Sequence, residues 1–195
     1  MRRVLRGIGW GLVAVLALLP WYFPPRGSSL WSPSLAVRLL GPLARPAAAW
    51  QWVRVDAAIR AGRTDIALAR AEIAFALDPS ETRGWLPLAG HLAFERASPE
   101  REPDPARRIA WLLAGLAVAR RGEASCAEPL ELVEWQIMVL DRTATVDPDL
   151  PWPGGLAGLF NEIAALFDRA AGLGAPDAAE NARLARSIAD GLARQ

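Results

Sequence analysis

From Ala48 to the C-terminus, apolar positions recur at spacings of three and four, the rhythm of helices that bury one face. This pattern predicts helices near 47–61, 64–77, 81–96, 105–121, 129–143, 155–172 and 176–193. The breaks fall at Gly62, Asp78-Pro79, the charged turn SPEREPDP, Gly122, DPDLPWPGG and Gly174. Asp104 before Pro105 is a chemically sound helix start: the carboxylate accepts from free N–H groups, and proline suits the first turn. No run alternates apolar and polar residues as a half-buried strand would, so the expected fold class is all-α.

The N-terminus follows another pattern. MRRVLRGIGWGLVAVLALLPWYFPPRGSS is uncharged from Gly7 to Pro25. As a helix, residues 7–23 would span about 25 Å, close to a hydrocarbon core of ~30 Å. Trp10, Trp21, Tyr22 and Phe23 sit near its ends, where aromatic belts belong. Three arginines precede the run and only Arg26 follows closely, which orients the N-terminus to the cytoplasm. The expected organisation is an anchor over 1–25, a Pro/Gly/Ser-punctuated connector over 26–47 and a helical domain over 48–195. In a bacterial-type cell the domain would then be periplasmic, on a single-pass inner-membrane protein. The rival reading is a cleaved signal peptide and a secreted domain, although no A-x-A-like site follows the apolar run. Within the connector, SLAVRLLGPLA is apolar enough either to lie on a membrane surface or to dock on the domain.

Inside the helical part, Ala67, Ala71 and Ala74 share one face, and small residues there let a neighbouring helix approach closely. The rhythm returns at Ala110, Ala114 and Ala117, with Trp85, Leu88 and Ala89 on the helix between. Gly62, Ala67, Ala71, Ala74 and Pro79, followed by Trp85, Leu88 and Ala89, resemble a tetratricopeptide repeat passing into its successor. Extra residues around ERASPEREPDP interrupt the second unit. Farther on, FDRAAGLGAPDAAENARLA is similar to a Sel1-type repeat, with Ala170, Ala171, Gly174 and Ala178 as its core positions. The resemblance implies stacked antiparallel helix hairpins and a groove lined by the first helix of each pair. Groove positions carried over from the family are Trp52, Asp56, Ile59, Arg60, Arg83, Leu86, Gly90 and Phe94. Members that grip a chaperone's C-terminus use basic and amide residues at two of these places, where this chain has Trp52 and Asp56. Trp52 and Phe94 can equally serve as core.

Charge narrows the choice of function. The first 55 residues hold seven arginines and no acid, whereas the remainder sets 15 arginines against all 21 acids, a net of −6. Phosphate-backbone binding needs concentrated positive charge, so nucleic acid is not an expected partner of the domain. The chain has no lysine, one histidine (His91) and one cysteine (Cys126). Walker-type lysines, Schiff bases and Cys/His zinc clusters cannot be built from that inventory, and neither a cofactor nor a small-molecule substrate is indicated. His91 lies in apolar LAGHLAF, the setting of a packed histidine, and Cys126 in the turn GEASCAEP. Trp152, between two prolines in DLPWPGG, reads either as a rigid loop anchor for a partner or as a cover over the end of a helix pair. The function expected is a membrane-anchored scaffold for protein–protein interaction, not an enzyme. The alternatives are a structural subunit of a membrane complex and a hydrolase, for instance a glycan-active one, using acids of the helical domain.

Overall fold

The computed structural model describes residues 37–194, apart from 38 and 81 and the side chains of Thr82 and Arg83. The expected anchor and most of the connector lie outside these residues. Seven helices follow in order: α1 (Ala44–Arg60), α2 (Thr64–Leu77), α3 (Thr82–Gly90), α4 (Pro105–Ser125), α5 (Leu130–Val146), α6 (Gly155–Gly172) and α7 (Ala178–Leu192). A single 3₁₀ turn, Gly41–Leu43, leads into α1, and α3 runs on as a π-helical turn over His91–Arg96. Among the described residues there is no strand, so the domain is all-α. No described helix is long and apolar enough to cross a membrane. α1 begins at Ala44, within the range 26–47 expected for the connector.

Sequential helices pack as neighbours: α1 on α2, α3 on α4, α5 between α4 and α6, and α6 on α7. The hairpins α1–α2 and α6–α7 turn by the same device. Gly62 (φ +70°) donates to Ile59 O at 2.9 Å while Arg63 N donates to Ala58 O at 2.9 Å. In the second hairpin Gly174 (φ +88°) donates to Ala171 O at 3.0 Å, and Ala175 N donates to Ala170 O at 2.9 Å. Each is a Schellman closure, in which a left-handed glycine satisfies the last free carbonyls of the helix. α2 stops at Asp78, extended (φ −148°, ψ 86°) as the residue before proline must be. Asp104 caps α4 as anticipated, accepting from Ala106 N at 3.0 Å.

Two features differ from the sequence reading. Gly122 lies inside α4 rather than ending it, because its missing side chain is where Trp85 packs. A Cβ there would stand 2.6 Å from Trp85 Cγ and 3.0 Å from Leu132 Cδ1. The small-residue face of α4 is correspondingly Gly115, Ala119 and Gly122, all buried, while Ala110 and Ala117 are exposed and Ala114 is half-buried. The spacing of four and three matches that of Ala67, Ala71 and Ala74, which are buried as expected. At Gly115 a Cβ would meet Ala89 O at 2.8 Å, so the backbones of α3 and α4 approach closely there.

Two main clusters form the core. The N-terminal one joins Val55, Ala67, Ala71, Phe75, Trp85, Leu88 and Leu132. The C-terminal one joins Leu112, Leu116, Val133, Leu140, Leu159, Ile163, Leu166 and Trp152. Trp135 packs against both.

Candidate partner-binding surface

The residues that the repeat resemblance places in a groove are divided by the structure into three groups. Trp52, Ile59 and Leu86 are half-buried on the flank of the N-terminal cluster. The Trp52 ring meets Phe75 edge-on, with centroids 5.0 Å apart, and lies against the bare backbone of Gly84, where a Cβ would fall 2.8 Å from its Nε1. That indole N–H is buried with no acceptor among the described residues. Asp56 and Arg60 are exposed and pair with each other along α1, one turn apart. Gly90 and Phe94 continue the line on α3, where a Cβ at Gly90 would meet nothing nearer than Phe94 Cδ2 at 4.0 Å. Phe94 in turn touches Trp135 edge-on at 6.0 Å and lies 5.6 Å from the Arg142 guanidinium. Arg83 belongs to α3, but its side chain is outside what the structure describes.

Beneath this line lies a stacked aromatic pair, Phe75 and Trp85, with centroids 3.3 Å apart and planes 10° from parallel. Trp85 Nε1 donates to Pro79 O at 3.2 Å, which joins the pair to the α2–α3 turn. Arg121 of α4 reaches over both rings, 5.8 Å from Phe75 and 5.7 Å from Trp85. It is held there by two hydrogen bonds to Glu72 of α2. The hydrogen bond to Glu72 raises the Arg121 pKa, against the opposing pull of partial burial. The ion pair therefore joins α2 to α4 beside the stacked rings. Arg70, half-buried on α2, donates to Gln51 Oε1 at 3.3 Å, and its pKa is lowered by desolvation and by the nearby charge of Arg54.

Trp152 takes the second of its two sequence readings. It is only 6% exposed and sits in the C-terminal cluster, so it is not an exposed loop anchor. Its carbonyl accepts from Gly155 N at 2.8 Å, and Gly158, one turn into α6, leaves room for the Pro153 carbonyl. His91 is likewise packed, with Nδ1 2.9 Å from Glu95 Oε2 and Nε2 3.4 Å from Thr64 Oγ1. Cys126 is half-buried in its turn, with Sγ 4.0 Å from Pro79 O. The acids of the charged loop act locally: Asp104 caps α4, and Glu102 accepts from Asp104 N. Among the described residues no three His, Cys, Asp or Glu side chains converge as metal ligands. A surface cleft of about 420 Å³ between α4, α5 and α6 is lined by Arg120, Glu123, Pro129, Arg169 and Leu173, away from the expected groove. Its arginines are paired, Arg120 with Glu162 and Arg169 with Glu123.

Sequence reasoning passed over Trp135, Arg142 and the Arg121–Glu72 pair. A signal for Trp135 was present: Leu132, Trp135 and Gln136 repeat the spacing of Trp85, Leu88 and Ala89, and Leu132 and Gln136 are fully buried. Nothing in the spacing of charges marks Arg121 and Glu72, which are 49 positions apart. The chain matches no protein-family model, and no curated protein or solved structure is significantly similar to it.

Proposed function

We propose that the chain is a membrane-tethered scaffold for other proteins, built as a stack of tetratricopeptide- and Sel1-like hairpins. In this reading residues 7–23 span the inner membrane with the N-terminus in the cytoplasm, and the helical domain stands in the periplasm. The observation that carries it is the line of half-buried apolar side chains from Trp52, Ile59 and Leu86 to Phe94 and Trp135. These rings and chains are partly covered by a rigid helical frame and partly open. That is the setting in which an apolar anchor of a partner gains most from burial. Supporting it, Asp104, Arg108, Glu123, Asp147 and Arg169 are engaged in a cap and ion pairs, and the series of hydroxyl, imidazole and carboxylate formed by Thr64, His91 and Glu95 has its hydroxyl and imidazole buried. The scaffold acts through complementarity, without cofactor or nucleic acid, and the tether raises its local concentration at the membrane.

A photo-crosslinking amino acid placed at Leu86 or Phe94, in intact cells, tests this reading. Discrete adducts with the same partner are expected from both positions and none from Ala165, which is exposed on α6. Equal labelling at all three, or none at Leu86 and Phe94, would remove the groove from the account. The structural-subunit alternative calls for an apolar strip along α5 or α6. There the large exposed hydrophobics are only Met138 and Val146, both on α5, and α6 has none.

A further inference from the structure

Helix α1 is apolar on two sides. One stripe, including Ala48, Val55 and Ala58, is buried toward α2. A second stripe recurs at the same three-four spacing, roughly 140° around the helix from the first at 100° per residue. It comprises Pro46, Trp50, Val53 and Ala57, together with Leu43 at the end of the preceding 3₁₀ turn, every one exposed, with Trp50 at 58% and Val53 at 56%. A helix on the outside of a water-facing domain carries polar residues there. The charges of α1 are Arg45, Arg54 and Arg60 against Asp56, which pairs with Arg60, while Arg45 also lies 3.5 Å from Asp78 at the end of α2.

We propose that the outer face of α1 lies on an anionic lipid bilayer, with the Trp50 ring at the headgroup boundary. The inference rests on the tethered reading above and extends it: the domain would have a fixed face toward the membrane instead of swinging freely. Tryptophan among aliphatic residues, flanked by arginine, is the composition of an interfacial helix. With three arginines to one acid, α1 is net positive, which suits a surface of anionic lipid. Only 19 residues separate Phe23 from Leu43, a reach of at most about 70 Å, so α1 can return to the surface. A second copy of the chain is the poorer fit. One narrow stripe, with proline and alanine among its five residues, falls short of the roughly 800 Å² per partner that a stable interface takes.

The test uses the full chain with Cys126→Ala and a nitroxide label at Val53→Cys or, for comparison, at Glu180→Cys on α7. The protein is reconstituted into phosphatidylcholine vesicles containing about one-third phosphatidylglycerol, an anionic surface. At position 53 the label should collide several-fold more with oxygen, which partitions into lipid, than with a water-soluble nickel chelate, and position 180 should show the reverse. If the protein floats with the vesicles but position 53 is as open to nickel as position 180, the tether stands and the proposed face is wrong. A label shielded from both reagents would also overturn it, placing protein on the stripe. Failure to float with the vesicles would refute the tether itself and this inference with it.

Discussion

Helices α1 and α6 each open a hairpin that closes on a left-handed glycine, and each partner helix turns alanines inward: Ala67, Ala71 and Ala74 on α2, Ala178, Ala182 and Ala185 on α7. Their own faces differ. α6 buries Leu159, Ile163 and Leu166 and shows solvent Asn161, Asp168 and Arg169. α1 buries mostly alanine, with Gln51 and Val55, and shows solvent Trp50 and Val53. The C-terminal hairpin thus brings large aliphatic side chains of its own to the cluster it shares with α4 and α5. The N-terminal hairpin shares its aromatic volume with the next helix, Phe75 of α2 stacking on Trp85 of α3. A shared turn and a shared alanine rhythm set the hairpin geometry. The larger side chains decide how firmly each hairpin is held and what its outer face meets.

The largest effect should therefore come from Trp85→Ala. Removing a fully buried tryptophan costs about 3–5 kcal/mol, and here it should loosen α1–α2 before α6–α7. Hydrogen exchange should show amides of α1 losing protection while those of α6 keep theirs; uniform loss would mean that the two regions unfold as one. Gly122→Ala should follow, at about 1–3 kcal/mol, since its new methyl has to displace the locked Trp85 ring. Denaturant melts that left the midpoint unchanged would place α4 farther from α3 than described. Gly62→Ala and Gly174→Ala should each cost roughly 1–2 kcal/mol from the left-handed backbone alone, since neither new Cβ would touch another atom. Unequal costs would break the equivalence of the two turns. Smallest is Trp50→Ser with Val53→Ser, each within about 0.5 kcal/mol in detergent-free melts of residues 37–195, because neither side chain belongs to a core cluster.

The helices were largely legible because their punctuation is local. Gly62, Asp78-Pro79, Asp104-Pro105 and Gly174 act within a turn of where they stand, and α2 and α6 have the bounds the periodicity predicts. Gly122 was misread for the complementary reason. A glycine that ends a helix and a glycine that admits a tryptophan look the same in sequence, and only the position of Trp85 separates them. The same ambiguity hid the true small-residue face of α4, since Ala110, Ala114 and Ala117 have the right spacing on the wrong side. The candidate surface residues lie on α1, on α3 and on its π-helical turn. How they divide between core flank and solvent depends on pairings such as Trp52 with Gly84 and Phe94 with Trp135, which no local rule contains.

The claim on which the functional account depends most is that the residues ahead of α1 hold the domain outside the cytoplasm, bound to the membrane. The direct measurement is a reporter that works only outside the cytoplasm, fused after Gln195 and followed through membrane fractionation. It should be active and should stay with the membrane after a high-salt wash, since salt screens surface charge but leaves a buried helix in place. Leu16→Arg should weaken that retention, because a charge at mid-span costs about 2.5–3.5 kcal/mol on the insertion scale. An inactive reporter, or an active one released as a shortened soluble protein, would contradict the account: the first would place the domain in the cytoplasm, the second would make residues 1–29 a signal peptide.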